Sequence, residues 1–374
     1  MIALIFGASL FIDITSKSGL FTWIAIKLTK ASKGDPRRLL WFYGLMTVVF
    51  SAVLNNVTAM IIVGSLTGVS LKKLGRANLI LGFLMIEGLL TNIGGLLTLI
   101  SSVPNIIIGT TAGISFVEFF IKAGPFVAVA TVATIMLGAR LFGIRRLIGP
   151  EERAEAAFLV EGFDENDGIE SRGFFYFAAF MLVAFIATIA TTSVLPVVSD
   201  LGMGFVALAF AGVMLIRYKH DVNRFYRAVD WDLLGFFAAL FAVISIMEHA
   251  GVLALIGAGL EHLIGLGETL GPASILVSSA VASSVTDNIP LAAMLAKIFA
   301  ALETPRDSIL WWAVIFGANL GGNLTPIGSA STLVAVTIIH KYKLPLSFGA
   351  FVRKAFPFAA MQIAIALVYV LIAL

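Results

Sequence analysis

Polar residues interrupt the apolar runs of this 374-residue chain, and they do so twice in the same order. Ser51-Ala52-Val53-Leu54-Asn55-Asn56-Val57-Thr58 returns 232 positions later as Ser283-Ser284-Val285-Thr286-Asp287-Asn288-Ile289-Pro290, and Asn92-Ile93-Gly94-Gly95 returns as Asn319-Leu320-Gly321-Gly322. In hydrocarbon an unpaired peptide group costs several kcal/mol, so such breaks persist only where protein or a water-filled cavity satisfies them. Equivalent breaks in two halves of one chain point to a solute site at a repeat interface, and hence to a secondary transporter.

The setting is a membrane. A hydrophobic fraction of 59% with only 13% charged residues falls far below the roughly 25% charge of a soluble domain, and the mean hydropathy is +1.02. The apolar runs are long enough for helices and lack the alternation of a membrane barrel, which makes the expected fold all-α and multi-pass. With no cysteine, disulfides, thiolate metal sites and cysteine nucleophiles are excluded. A pI near 9.1 fits basic loops at a membrane surface, since no basic stripe with interleaved aromatics suggests nucleic acid. Met1 runs straight into apolar sequence, so no signal peptide is expected; a prokaryotic cytoplasmic membrane is the expected location.

Lysine and arginine cluster at Lys27 to Arg38, Lys72 to Arg76, Arg140 to Arg153, Arg217 to Arg227 and Lys341 to Lys343, whereas residues 248–272 contain neither. The positive-inside rule places the first group in the cytoplasm. A span near 1–12 then leads to an amphipathic stretch at 17–31 on the inner face, with Lys27 and Lys30 snorkelling. Residues 36–71 form two apolar arms around Asn55-Asn56, either a re-entrant hairpin or two short complete spans. A discontinuous helix at 77–112, broken from Thr91 to Asn105, precedes a span at 119–141. The charged, glycine-containing stretch 143–172 reads as a cytoplasmic linker. Spans at 173–195 and 201–217 lead to a second module: a span at 231–247, an amphipathic segment at 250–266, a hairpin at 270–302, a broken helix at 308–338 and a last span at 348–374. The expected domains are a first inverted repeat at 1–142, the linker, and a second repeat at 173–374. The pair 173–217 has no counterpart before residue 1, so either upstream helices are missing or the fold is asymmetric.

Gly321 to Ser331 combines glycines, Pro326 and short oxygen ligands, notably Asn323, Thr325 and Ser329. Such a loop offers oxygens to Na⁺ while half-helix N-termini present positive ends to an anion; close packing through small residues with a proline kink is the plainer reading. Asp287, beside Asn288, is the carboxylate that the repeat puts at a half-helix end, as proton carrier, cation ligand or simple cap of an outer turn. Asn55, Asn56 and Thr58 hold the matching neutral place. Thr98, Ser101, Ser102 and Asn105 are the ligands expected from the first broken helix. Glu87 is either a second titratable group or a buried acid bonded to a nearby Thr or Ser. Asp13 and Lys17 read as an interfacial pair. His220, His249, His262 and His340 map to loops or interfacial segments, without a metal-ligand pair.

Leu54 to Thr58, EGLLTNIGGLLTLISSVPNIIIG from Glu87 to Gly109, Thr286 to Pro290 and GANLGGNLTPIGSAST from Gly317 to Thr332 resemble the ion transporter superfamily. The likeness is to its arsenite permease, Na⁺/H⁺ antiporter and citrate-transporter-like branches, including the P-protein-like one. It implies a scaffold plus a moving transport domain, usually in a homodimer, with substrate and coupling ion between hairpin tips and broken helices. Two acids of the P-protein-like pattern are absent, at Asn55 and in Ser101-Ser102-Val103-Pro104-Asn105. That lowers the negative charge of the first half-site and favours an anion or neutral oxyacid over Na⁺/H⁺ exchange.

The expected function is ion-coupled transport of a small anion or oxyacid, citrate-, dicarboxylate- or arsenite-like. Na⁺/H⁺ antiport and an ion channel are the alternatives; an enzyme is not expected. No cofactor is expected beyond Na⁺ or H⁺ as coupling ion, with Na⁺ ligands among Asn55, Asn56, Thr98, Asp287, Asn288, Asn323 and Thr325, and with Asp287 or Glu87 as the proton carrier. The bilayer, the solute and a second copy of the chain are the expected partners.

Overall fold

The computed structural model describes residues 2–192, 196–218 and 231–374, among which every regular element is helical. His220 and the basic residues from 219 to 227 lie outside the described residues. The first half contains α1 (Ile2–Ser16), α2 (Leu20–Ala31), α3 (Pro36–Val53), α4 (Asn56–Lys73), α5 (Ile80–Gly94), α6 (Val103–Ala112) and α7 (Phe116–Leu141). A linker helix α8 (Pro150–Glu161) and two further helices, α9 (Arg172–Thr191) and α10 (Pro196–Arg217), follow. The second half contains α11 (Trp231–His249), α12 (Val252–Ile264), α13 (Leu270–Val285), α14 (Asn288–Ala301), α15 (Ile309–Gly321), α16 (Ala330–Lys341) and α17 (Phe348–Ala373).

The two halves repeat each other at the level of single backbone events. The α1–α2 pair bends by 56° and α11–α12 by 78°, each at a glycine in the left-handed region, Gly19 (φ 82°) and Gly251 (φ 75°). Those glycines are 232 positions apart, as are the hairpin caps Asn55 and Asp287. Asn55 Oδ1 accepts from Thr58 N at 2.8 Å and Asp287 Oδ1 from Ile289 N at 3.0 Å, so each starts the second arm of its hairpin as a side-chain cap. The long helices α7 and α17 also correspond: Ser115 and Ser347 cap them, and Pro125 and Pro357 lie inside them. Their common pattern, SFVEFFIKAGPF and SFGAFVRKAFPF, is a repeat that the polar clusters overshadowed.

The second repeat is inverted. Four basic groups converge on one face: Arg76 pairs with Glu152, Lys27 and Lys30 with Glu165, and Lys72 lies 4.7 Å from the ring centre of Tyr342. The other end of α7, a helix about 39 Å long at 1.5 Å per residue, is marked by Glu118 facing Arg306 at 3.4 Å. Helix α5 starts next to Arg76 on the basic face, while α15 starts next to Arg306 on the opposite one. Each broken helix therefore enters from its own side.

Close packing fixes these elements. A Cβ on Gly94 would meet the Val48 carbonyl at 2.6 Å, and one on Gly321 would overlap the carbonyl of Ala280, the residue equivalent to Val48. Such glycines let membrane helices approach backbone to backbone. Helix α1 is held against α9 and α10 by Phe11, whose ring centre is 4.6 Å from that of Phe185 and 5.8 Å from that of Phe210, and by Gly7 against the Leu208 backbone. Helices α7, α9 and α17 carry Ile121, Phe180 and Ile372 outward, the surface that lipid covers.

The linker is more ordered than its composition suggests. Pro150 at the first turn with Glu151 and Glu152 beside it is a helix-start signal, and the resulting α8 buries Ala156 and Val160 against the first half. Lys27 and Lys30, expected to snorkel, clasp Glu165, and Lys30 first, then Lys27, holds the Glu165 carboxyl down at about 2. Asp35 ties the same region together, accepting from Leu147 N at 3.0 Å. Gly321→Ala is expected to lower the thermal unfolding midpoint of the detergent-solubilised protein by forcing α13 and α15 apart, at a cost of about 1–3 kcal/mol. Gly212→Ala, where nothing lies within 4 Å, is the control and leaves the midpoint unchanged or slightly raised.

Candidate functional site

Both helix breaks are tied to the hairpin tip of their own repeat by the same bonds. Ser51 Oγ lies 2.8 Å from the Thr91 carbonyl, and its counterpart Ser283 donates to the carbonyl of Ala318, the counterpart of Thr91. Thr98 Oγ1 donates to Ala52 O at 2.6 Å, and Thr325 Oγ1 to Ser284 O at 2.5 Å. These hydroxyls satisfy carbonyls at the ends of α3 and α13 that no further helical turn can reach. A complete span with its turn in water has no reason to join that turn to the middle of another helix, so α3–α4 and α13–α14 are re-entrant.

The repeats are joined to each other by a second pair of bonds. Asn92 Nδ2 donates to Ser329 Oγ at 3.0 Å, and in the equivalent place Ser102 Oγ donates to Asn319 Oδ1 at 3.1 Å. Each break asparagine thus meets the serine that opens the half-helix of the opposite repeat. Asn319 Nδ2 also donates to Asn105 Oδ1 at 2.9 Å, and Asn92 Nδ2 approaches Asn323 Oδ1 at 2.8 Å. The polar chain then leaves the symmetry: Asn323 Nδ2 donates to Gln362 Oε1 (2.7 Å), and Gln362 Nε2 donates onward to Thr134 Oγ1 (3.0 Å).

A cavity of about 340 Å³ opens where the hairpin tips face the breaks. It is lined by Asn55, Asn56, Val57 and Thr58 at the start of α4, Ser101 to Pro104 at the start of α6, Asn288 and Ile289 at the start of α14, and Ser329 to Ser331 at the start of α16. Asn92 and, from α1, Ser9 and Asp13 complete the lining. Four helix N-termini therefore converge, each carrying about half a positive charge. The α6 terminus has no side-chain cap, because Ser102 is engaged with Asn319 instead. Among the described lining residues Asp13 is the one titratable group, and there is neither Lys nor Arg.

Seven of the residues singled out from sequence meet in this cavity: Asn55, Asn56, Thr58, Ser101, Ser102, Asn288 and Ser329. Thr98, Asn105, Asn323 and Thr325 are buried in the bonds just described. Asp287 is exposed and caps α14, outside the lining. Glu87 is fully buried; Thr67 donates to its Oε1 at 2.6 Å, while Oε2 has no hydrogen-bond partner. Asn92, Ser331, Ser9 and Asp13 were not among the candidates. The Asn-x-Gly-Gly repeat already marked Asn92, and the i, i+4 spacing of Ser9 and Asp13 puts them on one face of α1, although nothing in that spacing says which face meets a cavity. Asp13, read from sequence with Lys17 as an interfacial pair, is among the residues that line the cavity. Among the described residues no group of three or more His, Cys, Asp and Glu could hold a metal ion.

The sequence pattern of the citrate transporter family (CitMHS) matches residues 1–317. The chain belongs to that family. An uncharacterized transporter of Mycobacterium tuberculosis is 31% identical over 376 residues, covering 99% of this chain and 85% of that protein. The P protein of Mus musculus is 26% identical over 451 residues, covering 100% of this chain and 53% of the P protein. Among solved structures, Neisseria gonorrhoeae MtrF, described as illuminating a class of antimetabolite efflux pumps, superposes with a TM-score of 0.64 at 14% identity, covering 99% of this chain and 80% of that one; the likeness is one of fold. This citrate-transporter-family chain is an integral, multi-pass membrane transporter of a small molecule.

Asn319→Ala removes the bonds to Ser102 and Asn105 and leaves buried polar partners unpaired. It is expected to destabilise the protein by about 1–3 kcal/mol, seen as a lower thermal midpoint in detergent. Thr337→Ala, whose hydroxyl serves only its own helix at Leu333 O, leaves the midpoint within error.

Proposed function

We propose that this chain is a secondary active transporter of a small carboxylate anion, citrate- or dicarboxylate-like, coupled to Na⁺ or H⁺. The convergence of four half-helix N-termini on one cavity carries the reading. Positive helix ends, with neither lysine nor arginine among the described lining residues, hold an anion through backbone N–H groups and neutral side chains, with the modest grip that a carrier needs in order to release its cargo. A volume of about 340 Å³ lies at the small end of the roughly 300–1,000 Å³ range of ligand pockets, which suits a compact organic acid. A neutral oxyacid such as arsenous acid gains less from the helix ends.

In this reading residues 1–142 and 173–374 are the two inverted repeats, joined by the linker at 143–172. Asn55, Asn56, Thr58, Ser101, Ser102, Asn288 and Ser329 are its solute contacts; Thr98, Asn105, Asn323 and Thr325 hold those contacts in place. Inverted repeats around one central site support alternating access by movement of equivalent elements, and a homodimer is part of the proposal. Asp287 and Glu87 are the acids that the polar motifs offer for coupling.

Uptake into proteoliposomes carrying the 374-residue chain, with citrate, succinate and arsenite under Na⁺ and pH gradients, tests the reading. Saturable citrate or succinate accumulation that collapses with the gradient is expected. Na⁺/H⁺ exchange without a solute would make it an antiporter, flux that never accumulates solute would make it a channel, and arsenite as the only accumulated solute would overturn the anion. Asn55→Asp is a sharper probe, because Asp caps α4 as well as Asn does but adds a negative charge to the cavity. It is expected to keep the thermal midpoint and raise the half-saturating citrate concentration about tenfold, equivalent to about 1.4 kcal/mol.

A further inference from the structure

Glu87 lies on the broken helix α5, roughly 10 Å of rise from its start on the basic face and roughly 7.5 Å before Asn92, which lines the cavity. Its side chain is fully buried: Thr67 Oγ1 donates to Oε1 at 2.6 Å, and Oε2 has no hydrogen-bond partner. Thr67 belongs to α4, the hairpin arm whose N-terminus opens on the same cavity. From Thr67 a series of hydroxyls continues toward the basic face. Ser70, three residues on, is its neighbour on the surface of α4. Ser70 Oγ lies 2.8 Å from Tyr43 Oη, which in turn lies 2.5 Å from Thr29 Oγ1, and all four hydroxyl residues are buried. Thr29 stands on α2 between Lys27 and Lys30, the pair that clasp Glu165. The fold itself does not require these groups. Tyr43, Thr67 and Glu87 correspond in the second repeat to Ile275, Phe299 and Val314, all buried, so an apolar junction joins a hairpin to its broken helix equally well.

We propose that Glu87 is the site of the coupling proton, reached from the basic face through the hydroxyls of Thr29, Tyr43, Ser70 and Thr67. The assignment rests on the anion-transport reading above and selects H⁺ as the coupling ion. Each hydroxyl both donates and accepts, so it takes one proton and passes on its own, and the proton that Glu87 gains is the one Thr67 already directs at Oε1. No direct bond joins Ser70 to Thr67, and rotation of either side chain closes that step. An ionised Glu87 opposes, through a low-dielectric interior, the positive field that the helix ends offer to an anion; a protonated one does not. Proton and anion therefore favour each other's binding, and by linkage they do so reciprocally. Neighbouring charges do not take over this role. The helices packed against α5 carry Arg37, Arg38 and Tyr43 on α3, Lys72 and Lys73 on α4, Glu118, Lys122 and Arg140 on α7, His340 and Lys341 on α16, and Arg353, Lys354 and Tyr369 on α17. Of these Tyr43 alone interacts electrostatically with Glu87; the basic groups lie near the ends of their helices, and Glu118 pairs with Lys122.

The test is citrate binding to the detergent-solubilised full chain, read from the rise in its thermal midpoint, together with citrate uptake in proteoliposomes. Above about pH 7.5, where the carboxyl groups of citrate are ionised, each unit rise in pH is expected to raise the half-saturating citrate concentration of the native chain by up to about tenfold, the limit for one linked proton. Glu87→Gln, which still accepts from Thr67, is expected to abolish that dependence, and Asp287→Asn, which still caps α14, to retain it. Glu87→Met, apolar like Val314 of the second repeat, carries the same readout where the amide variant does not fold. Tyr43→Phe is expected to keep the pH dependence of binding and slow proton-driven uptake several-fold. A native-like pH dependence in Glu87→Gln or Glu87→Met, its loss in Asp287→Asn, or dependence of the native chain on Na⁺ with none on pH would overturn the proton site, and a native rate in Tyr43→Phe would overturn the path, while anion transport stands. Citrate that neither binds to the native chain nor enters its proteoliposomes under any gradient would instead remove the transport reading on which this one rests.

Discussion

The structure depends on what happens to a peptide group when a membrane helix stops halfway. At Gly94-Gly95 and again at Gly321-Gly322 the chain gives up its own hydrogen-bond ladder, and in hydrocarbon those groups need other partners. Hydroxyls and amides supply them: Ser51 and Ser283 of the hairpins reach the Thr91 and Ala318 carbonyls, Ser101 and Asn105 reach the Gly95 carbonyl, and Asn323 reaches the Leu89 carbonyl of the opposite repeat. Neither repeat is satisfied alone. The pairing that makes the breaks tolerable also brings four half-helices together with their N-termini facing one another, so the electrostatic character of the cavity is a by-product of satisfying its backbone.

The symmetry has limits, and they fall where function needs them. Asn323, Gln362 and Thr134 run through the core where the equivalent positions hold Leu96, Ala130 and Ala366. The hairpin cap is neutral in the first half and acidic in the second, and the acidic one faces away from the cavity. A site built from identical halves would present two equal carboxylates or none. Here the acid among the described lining residues, Asp13, enters from outside both motifs.

Much of this was legible from residues alone. The hairpin turns fall at Asn55 and Asp287, the breaks fall within Thr91 to Asn105 and Gly321 to Ser331, and the inverted order follows from the basic loops. Those features are local, set by glycine, proline and capping residues against an apolar background. Which polar side chains face the solute is not local. Thr98 and Thr325 are as polar as Ser102 and Ser329, but their hydroxyls are consumed by hairpin carbonyls, a fact that only the packed structure contains. Asp13 reads from sequence as half of an interfacial pair with Lys17, and which way its helix faces depends on the aromatic contacts of Phe11 with α9 and α10. The helix in the linker was missed for a different reason: its proline and acidic first turn were visible, but the charge density of the segment drew attention away from them.

A transporter of this design binds one solute between its two repeats, and because the chain contains no cysteine a single introduced thiol can report on either side. Val103 and Ala330 occupy equivalent first positions of α6 and α16 and both line the cavity. Val103→Cys and Ala330→Cys, labelled separately with a small water-soluble thiol reagent in reconstituted protein, should both be protected by citrate over the same concentration range. Labelling of both that is indifferent to citrate, or protection at one position with none at the other, would contradict a shared site at the repeat interface.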